Sequence, residues 1–329
     1  MDEMHPADAR YELYGLEENP YAVRPLDAVA CDSDRELLLE LAGIRLRAIE
    51  EAVRRAVARR RPAFFLITGV GKSGRTSLAN HVMRLYRDAC DRPDYTFVTH
   101  EAEPEDMTHD AYAQMCSTLL DLRNKMNECA IRIPDELRAR FTELSRRSST
   151  DPMNEYDLQE IAGFAGATFA AANVGFGIRY ESVPTKKLIW LATKVFESTS
   201  TVVVFIVDAY DHANTAQLTM ADRERFATRG QIVDLGTLTP EQIAELARRR
   251  WNGRPPPPFH DEGLRDALSG RTYTVGQAMR RLELLLEFRL REYEKDDPWP
   301  TADLHMPENW LRLRIWQGDR WNGLGGIHG

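Results

Sequence analysis

The chain has few cysteines, no long strongly apolar run and no surplus of positive charge, and each shortage excludes a class of protein. Its four cysteines, Cys31, Cys90, Cys116 and Cys129, form no C-x-x-C pair and show no metal-like spacing to histidine. That argues against a disulfide framework or zinc ribbon and for reduced thiols in a cytoplasmic protein. The net charge of −8, from 43 basic and 51 acidic residues, makes DNA an unexpected partner. Non-specific affinity for nucleic acid comes mainly from neutralising phosphates. Arg59-Arg60-Arg61 is a local basic run, of the kind that reads as a solvated helix end or dipole partner. The stretch 161–178, IAGFAGATFAAANVGFGI, has no charge over 18 residues, yet it is rich in alanine and glycine and contains Thr168 and Asn173. It falls short of the roughly 20 strongly apolar residues of a membrane span, so none is expected and a buried helix or hairpin is. The opening residues, MDEMHPADAR, lack the apolar core of a secretory leader.

What is present is an ordinary globular composition, 43% hydrophobic and 29% charged over 329 residues, with room for two or three domains. Residues 1–33 read as an extended, proline-punctuated lead-in containing NPYAV. From Asp34 to about Arg60 apolar residues recur at helical spacing (Leu37, Leu41, Ile44, Ala48), predicting one amphipathic helix stopped by Pro62. AFFLIT at 63–68 suits a buried strand, and SLANHVMRLYRDA at 77–89 a helix. YTFVTHE at 95–101 predicts a second strand, followed by helices near 108–128 and 134–144. A helix is expected near 185–198, then TVVVFIVD at 201–208, the most strongly apolar strand, and QIVDLGTL as the last strand. Helices alternating with fully apolar strands predict a parallel α/β sheet. Two capping-box patterns, Thr239/Gln242 and Thr274/Gln277, open helices of a small C-terminal helical domain. The organisation expected is an α/β core over 34–236, with 161–178 as a Gly/Ala-rich insert, and a helical lid over 237–295. The tail, 296–329, holds four of the six tryptophans and should dock on something.

The chemistry concentrates at GVGKSGRTS, residues 69–77. It nearly spells G-x-x-x-x-G-K-[ST], the phosphate-cradling loop, in two registers. Gly69–Gly74 has the right spacing but puts Arg75 where lysine belongs; Gly71-Lys72-Ser73 has the lysine but puts Leu66 at the first glycine position. The preceding strand and following helix favour the first register. Loop and helix N–H groups attract phosphate whatever the side chains are. Phosphate contacts are therefore expected from Gly69, Lys72, Ser73, Gly74, Arg75, Thr76 and Ser77, with the Thr76 hydroxyl placed to reach Mg²⁺. Arg75 keeps the charge of lysine on a bulkier planar group, which puts turnover in question more than binding.

Asp208, at the end of the apolar strand, is the candidate magnesium-holding acid, and Asp211 could bring a second carboxylate. Only 22 residues separate Asp208 from Gln231, which leaves two assignments. The acid pair favours strand 201–208 as the third, metal-binding strand of the sheet. Otherwise it is the fourth, and the metal-binding strand is missing or hidden before residue 185. Arg223, Arg225 and Arg229 precede the last strand, where one could reach a neighbouring subunit's nucleotide; Arg280 and Arg281 follow Gly276. HEAEPEDMTHD at 100–110 mixes histidines and acids but suits a solvated loop better than a metal site.

Together NPYAV, GVGKSGRT, VVVFIVDAYD, RFATRGQIVDLGTLTPEQIAEL and TVGQAMRRLELLL resemble a AAA+-like or STAND-class P-loop NTPase over about 18–295. The resemblance implies a parallel-sheet nucleotide-binding core with a C-terminal helical lid. It implies ATP and Mg²⁺ as ligands, phosphates held by Gly69, Gly74, Arg75 and Thr76, Mg²⁺ on Asp208, a water positioned by Asp211, and Arg280 as a lid sensor. It departs from origin-recognition members at the lid, where Met279 stands in the arginine position, and the 34 residues after the lid are too few for the DNA-binding domain such members need. The expected function is an ATP-binding switch or assembly module that acts on a protein partner or effector, with a homo-oligomer as the other expected assembly. Hydrolysis of ATP to ADP and phosphate would be weak or absent. An active remodelling ATPase and a nucleotide-free scaffold are the alternatives.

Overall fold

In a computed structural model the described residues are 11–90, 92, 94–101, 111–146, 154–181, 185–208, 218–253, 258–292 and 305–315. They form two compact units. One comprises the described residues of Leu26–Gly71 and Arg75–Leu235; the other collects those of Met1–Pro25, Lys72–Gly74 and Gly236–Gly329.

The first unit is built on five parallel strands: β1 (Ala63–Gly69), β2 (Asp94–Glu101), β3 (Val174–Glu181), β4 (Val202–Asp208) and β5 (Gly230–Leu235). Their spatial order is β2-β3-β4-β1-β5, so β1 lies between β4 and β5. Its helices are α1 (Asp32–Glu36), α2 (Leu46–Ala58), α3 (Arg75–Ala89), α4 (Ala111–Glu128), α5 (Asp135–Arg146), α6 (Glu155–Ala171), α7 (Lys186–Val195) and α8 (Met220–Ala227).

Both faces of the sheet are buried, which is why β1 and β4 read as unbroken apolar runs. Phe64 and Leu66 of β1, with Val203 and Phe205 of β4, join a core with α4–α7 that includes Met115, Leu119, Phe141, Phe169 and Leu188. The alternate residues, Phe65 and Ile67 with Val204 and Ile206, pack instead with Ile49, Val53, Leu78, Val82 and Tyr86 of α2 and α3. The period-two alternation of a strand thus gives a helix–sheet–helix sandwich.

Two expectations are corrected. The strand at 202–208 is the fourth and not the third, because the stretch 161–178 is divided between α6 and β3. β3 escaped the sequence reading because Gly175 and Gly177 depress strand propensity. Their neighbours require them: a Cβ at Gly175 would lie 2.4 Å from the Tyr95 ring, and one at Gly177 would lie 2.8 Å from Val202. The single helix expected over 34–60 is two, α1 and α2, separated by left-handed backbone at Ala42 (φ 53°) and Gly43 (φ 93°). A Cβ at Gly43 would stand 2.8 Å from the Asp234 carbonyl, so close packing on β5 fixes the break.

The second unit contains α9 (Pro240–Arg250), α10 (Asp261–Leu268), α11 (Val275–Arg291) and a last helix at 308–315. Both predicted capping boxes form, at Thr239/Gln242 and Thr274/Gln277. The lead-in as far as Pro25 is part of this unit: Tyr21 is fully buried and its hydroxyl donates to the Ala247 carbonyl at 2.8 Å. Leu311 and Ile315 of the last helix are buried, and Trp310 donates from Nε1 to Glu292 of the α11 C-cap at 2.8 Å. Trp299, Trp316 and Trp321 lie outside the described residues. No described helix is long and apolar enough to cross a membrane.

Candidate nucleotide site

The loop runs from the end of β1 at Gly69 to the first residue of α3 at Arg75, the register the flanking elements favoured. The turn is made by left-handed backbone at Lys72 (φ 64°) and Gly74 (φ 92°). Glycine adopts that conformation freely, whereas at Lys72 it costs about 1–2 kcal/mol. Part of this strain is countered by a hydrogen bond: the Gly276 N–H, in the first turn of α11, donates to the Lys72 carbonyl at 2.8 Å. Gly276 is needed for the approach, since a Cβ there would stand 2.8 Å from the Lys72 Cβ and 2.9 Å from its carbonyl oxygen. Nothing in the sequence pattern pointed to this contact.

Ser73 is 1% exposed and its hydroxyl has no hydrogen-bond partner among the described residues. An unpaired buried hydroxyl costs about 1–3 kcal/mol, so its presence in a glycine loop suits a ligand with oxygen acceptors. A Cβ built at Gly71 or Gly74 meets nothing within 4 Å, so the loop has open space beside it. The first four N–H groups of α3 have no intrahelical partners, and the helix dipole favours negative charge there. These features fit a phosphate chain.

Arg75 points its guanidinium at the strand next door. Its Nη2 lies 2.9 Å from Asp208 Oδ2, and the two side chains are 17% and 26% exposed. The sheet makes this pairing possible, because Asp208 ends β4 directly opposite Gly69 at the end of β1. Thr76 is half-buried in the first turn of α3. The Ser77 hydroxyl is engaged by the lead-in: it accepts from the Leu26 N–H at 2.9 Å, while Asn80 Nδ2 donates to the Leu26 carbonyl at 2.8 Å. One residue of extended chain is therefore clamped by two positions of α3, a contact the sequence did not announce.

A second arginine–acid pair stands on the other side of β1. Thr68 donates to Asp234 of β5, and Arg223 Nη2 contacts the same carboxylate at 2.7 Å. Burial opposes ionisation of Asp234, but the hydrogen bonds from Arg223 and Thr68 outweigh it and lower its pKa. Arg225 stacks over the Trp190 ring at 4.5 Å and Arg229 faces Glu197 at 3.8 Å. Arg280 is paired with Glu283 at 2.7 Å. Glu181, at the end of β3, is paired with Arg179 at 2.9 Å. Asp211 and most of the stretch 100–110 lie outside the described residues, and no metal-ligating cluster occurs among the described ones.

No protein-family model matches the sequence, and no curated protein matches it. Among solved structures the chain is similar to an Aeropyrum pernix ORC2 protein in ADPNP–ADP complexes, with 11% identity and a TM-score of 0.49 over 86% of this chain and 71% of that one. It is similar to a Rhizobiales Trip13, with 14% identity and a TM-score of 0.45 over 84% of this chain and 92% of that one. It also matches a chain of the E. coli MS115-1 HORMA:CdnC:Trip13 complex, with 13% identity and a TM-score of 0.41 over 94% of this chain and 97% of that one. At such identities no residue role follows from the likeness.

Proposed function

We propose that this protein is an ATP-binding P-loop switch of the AAA+ or STAND kind, in which nucleotide occupancy is read by a protein partner and hydrolysis is weak or absent. The observation that carries the reading is the loop between β1 and α3. There a buried hydroxyl without a partner, open space beside two glycines and the N-terminus of a 15-residue helix meet in one continuous segment. Bound MgATP would supply a polyphosphate charge and a terminal phosphoryl group whose presence or loss the loop can register.

The chain's own residues would divide the task. Loop and α3 N–H groups, with the Ser73 hydroxyl, hold phosphate oxygens. Thr76 and Asp208 would hold Mg²⁺: although β4 is the fourth strand, Asp208 ends it directly opposite Gly69 of the loop, whereas β3, the strand of the other assignment, ends in Glu181, which is paired with Arg179. Arg75 and Asp208 form a latch between them: the pair holds the guanidinium to β4, and if Asp208 served as a metal ligand, Arg75 would be free to turn toward bound phosphates. An ion pair exchanged for a metal contact is a two-state element of the sort a switch requires. Turnover would be slow for a separate reason. A guanidinium lacks the compact charge and reach of an ammonium group at this position.

Calorimetry on the full chain with MgATP tests this. Saturable heat from the wild type, reduced at least tenfold in affinity by Ser73→Ala or Thr76→Ala, is expected. Absence of heat and of any thermal shift would leave the nucleotide-free scaffold reading. Sustained phosphate release abolished by Asp208→Ala would instead support the remodelling ATPase.

A further inference from the structure

At the end of the sheet opposite the loop, a cleft of about 620 Å³ opens between α2 and the starts of β1 and β5. It exists because α2 presents alanine there: Ala48, Ala52 and Ala56 line it, where larger side chains would have filled the space. Ligand clefts have this size, whereas a well-packed helix–sheet interface leaves few voids larger than a water molecule.

The charge of the cleft runs against that of the chain. Arg55 of α2, Arg59 at its C-cap and Arg229 before β5 line it, with Glu51 as the single acid among the lining residues. Glu51 is itself paired with Arg47 at 3.3 Å, and Arg229 meets Glu197 only loosely, at 3.8 Å. The C-terminal ends of α2 and α8 add roughly half a negative charge each, which offsets part of the field and leaves it positive. In a protein of net charge −8 this is a concentrated basic site.

The floor of the cleft adds a second kind of recognition. β5 is the edge of the sheet and pairs only with β1 among the described residues, so one side of its backbone ladder is unpaired. Gly230, Gln231 and Ile232, at the start of that edge, line the cleft. An extended peptide laid along such an edge gains main-chain hydrogen bonds and places alternate side chains on one face. Those alternate residues are about 6.6 Å apart, close to the rise of about 6 Å that separates residues one turn apart on a helix, such as Arg55 and Arg59.

We propose that this cleft docks an extended acidic segment of a protein partner, with carboxylates at alternate positions facing the three arginines and its backbone added to β5. The charge complementarity, the alanine-made space and the unpaired edge all favour that occupant. This is independent of nucleotide binding at the loop.

The test is fluorescence anisotropy with the full chain and a labelled eight-residue peptide alternating Glu and Val. Three further probes accompany it: the Lys/Val counterpart, a Glu/Pro version that has no N–H at alternate positions, and a single-stranded DNA octamer. Saturable binding of the Glu/Val peptide is expected. It should weaken at least tenfold in Arg55→Glu, in Arg59→Glu and in Ala52→Leu, which fills the cleft without changing charge. Thermal midpoints of the variants establish that they fold, and Arg229→Gln, outside the helix, serves if the α2 variants do not. Glu/Pro should bind at least tenfold more weakly than Glu/Val. No saturable binding of Glu/Val by the wild type, or equal binding by wild type and Ala52→Leu, would overturn the proposal. DNA binding tighter than the peptide and lost in the same variants would overturn it in favour of a nucleic-acid site.

Discussion

Arg75 and Asp208 meet at 2.9 Å with both side chains largely shielded, so a change to either alters the environment of the other. Asp208→Asn keeps the shape and removes the charge that holds the guanidinium. If the pair restrains Arg75, the variant binds ATP at least threefold more tightly than wild type in EDTA, yet gains less from added Mg²⁺. Titrations with and without the metal measure both effects, and an unchanged or lower affinity in EDTA would count against the latch. His81, buried in α3, gives a pH prediction of a different kind. Burial and the nearby positive charge of Arg35 push its pKa from 6.5 down to about 4, against the weaker pull of Asp88 and Glu50. Its Nδ1 also has no hydrogen-bond partner among the described residues. The unfolded chain therefore takes up a proton near pH 6.5 that the folded chain refuses until about pH 4. Stability is full above that window and falls through it, by up to about 3 kcal/mol. Urea midpoints at pH 7 and pH 5 should show this fall, and His81→Leu should flatten it; an equal fall in the variant would assign the slope to other groups.

At the scale of elements, Gly276 decides how α11 meets the loop. Helix propensity alone would make Gly276→Ala stabilising by about 1 kcal/mol. The added methyl, however, would stand 2.8 Å from the Lys72 Cβ and displace the carbonyl that Gly276 N–H holds. The expected result is a loss of at least tenfold in ATP affinity with helical content preserved, read by calorimetry and circular dichroism. Unchanged affinity would show that the loop keeps its shape without this contact. The contact also marks what a sequence can convey. Capping boxes, the loop's spacing and the apolar runs of β1 and β4 are local signals, so each was legible at its own position. β3 was not, because its glycines make sense only beneath Tyr95 and Val202, residues distant in the chain. The break at Ala42–Gly43 was hidden for the same reason, being fixed by the Asp234 carbonyl. At the site, the glycines, Ser73 and Thr76 could be read from spacing. The pairing of Arg75 with Asp208 could not, because it depends on β4 lying next to β1.

For the whole molecule, the decisive quantity is the differential stability that nucleotide confers. A ligand that binds only the native state stabilises it by about 2.7 kcal/mol at a hundredfold excess over its dissociation constant. For a chain of 329 residues, with the usual unfolding entropy per residue, that corresponds to a rise of about 4 °C in the midpoint of a cooperative melt. The switch reading therefore expects a shift of this size with MgATP. It expects a smaller one with MgADP, whose missing terminal phosphate leaves part of the loop unused, and no phosphate release over the same incubation. Equal shifts for the two nucleotides would remove the basis for a switch even if binding were tight, because a ligand moves an equilibrium only by its difference in affinity for the two states. Turnover that outlasts a single equivalent of ATP would move the protein to the remodelling class. The comparison can be made on one sample, and Arg75→Lys sharpens it: a shift retained with phosphate release newly gained would trace the slow chemistry to the guanidinium. A shift retained with release still absent would trace it instead to the acid side of the site, at Asp208 and beyond.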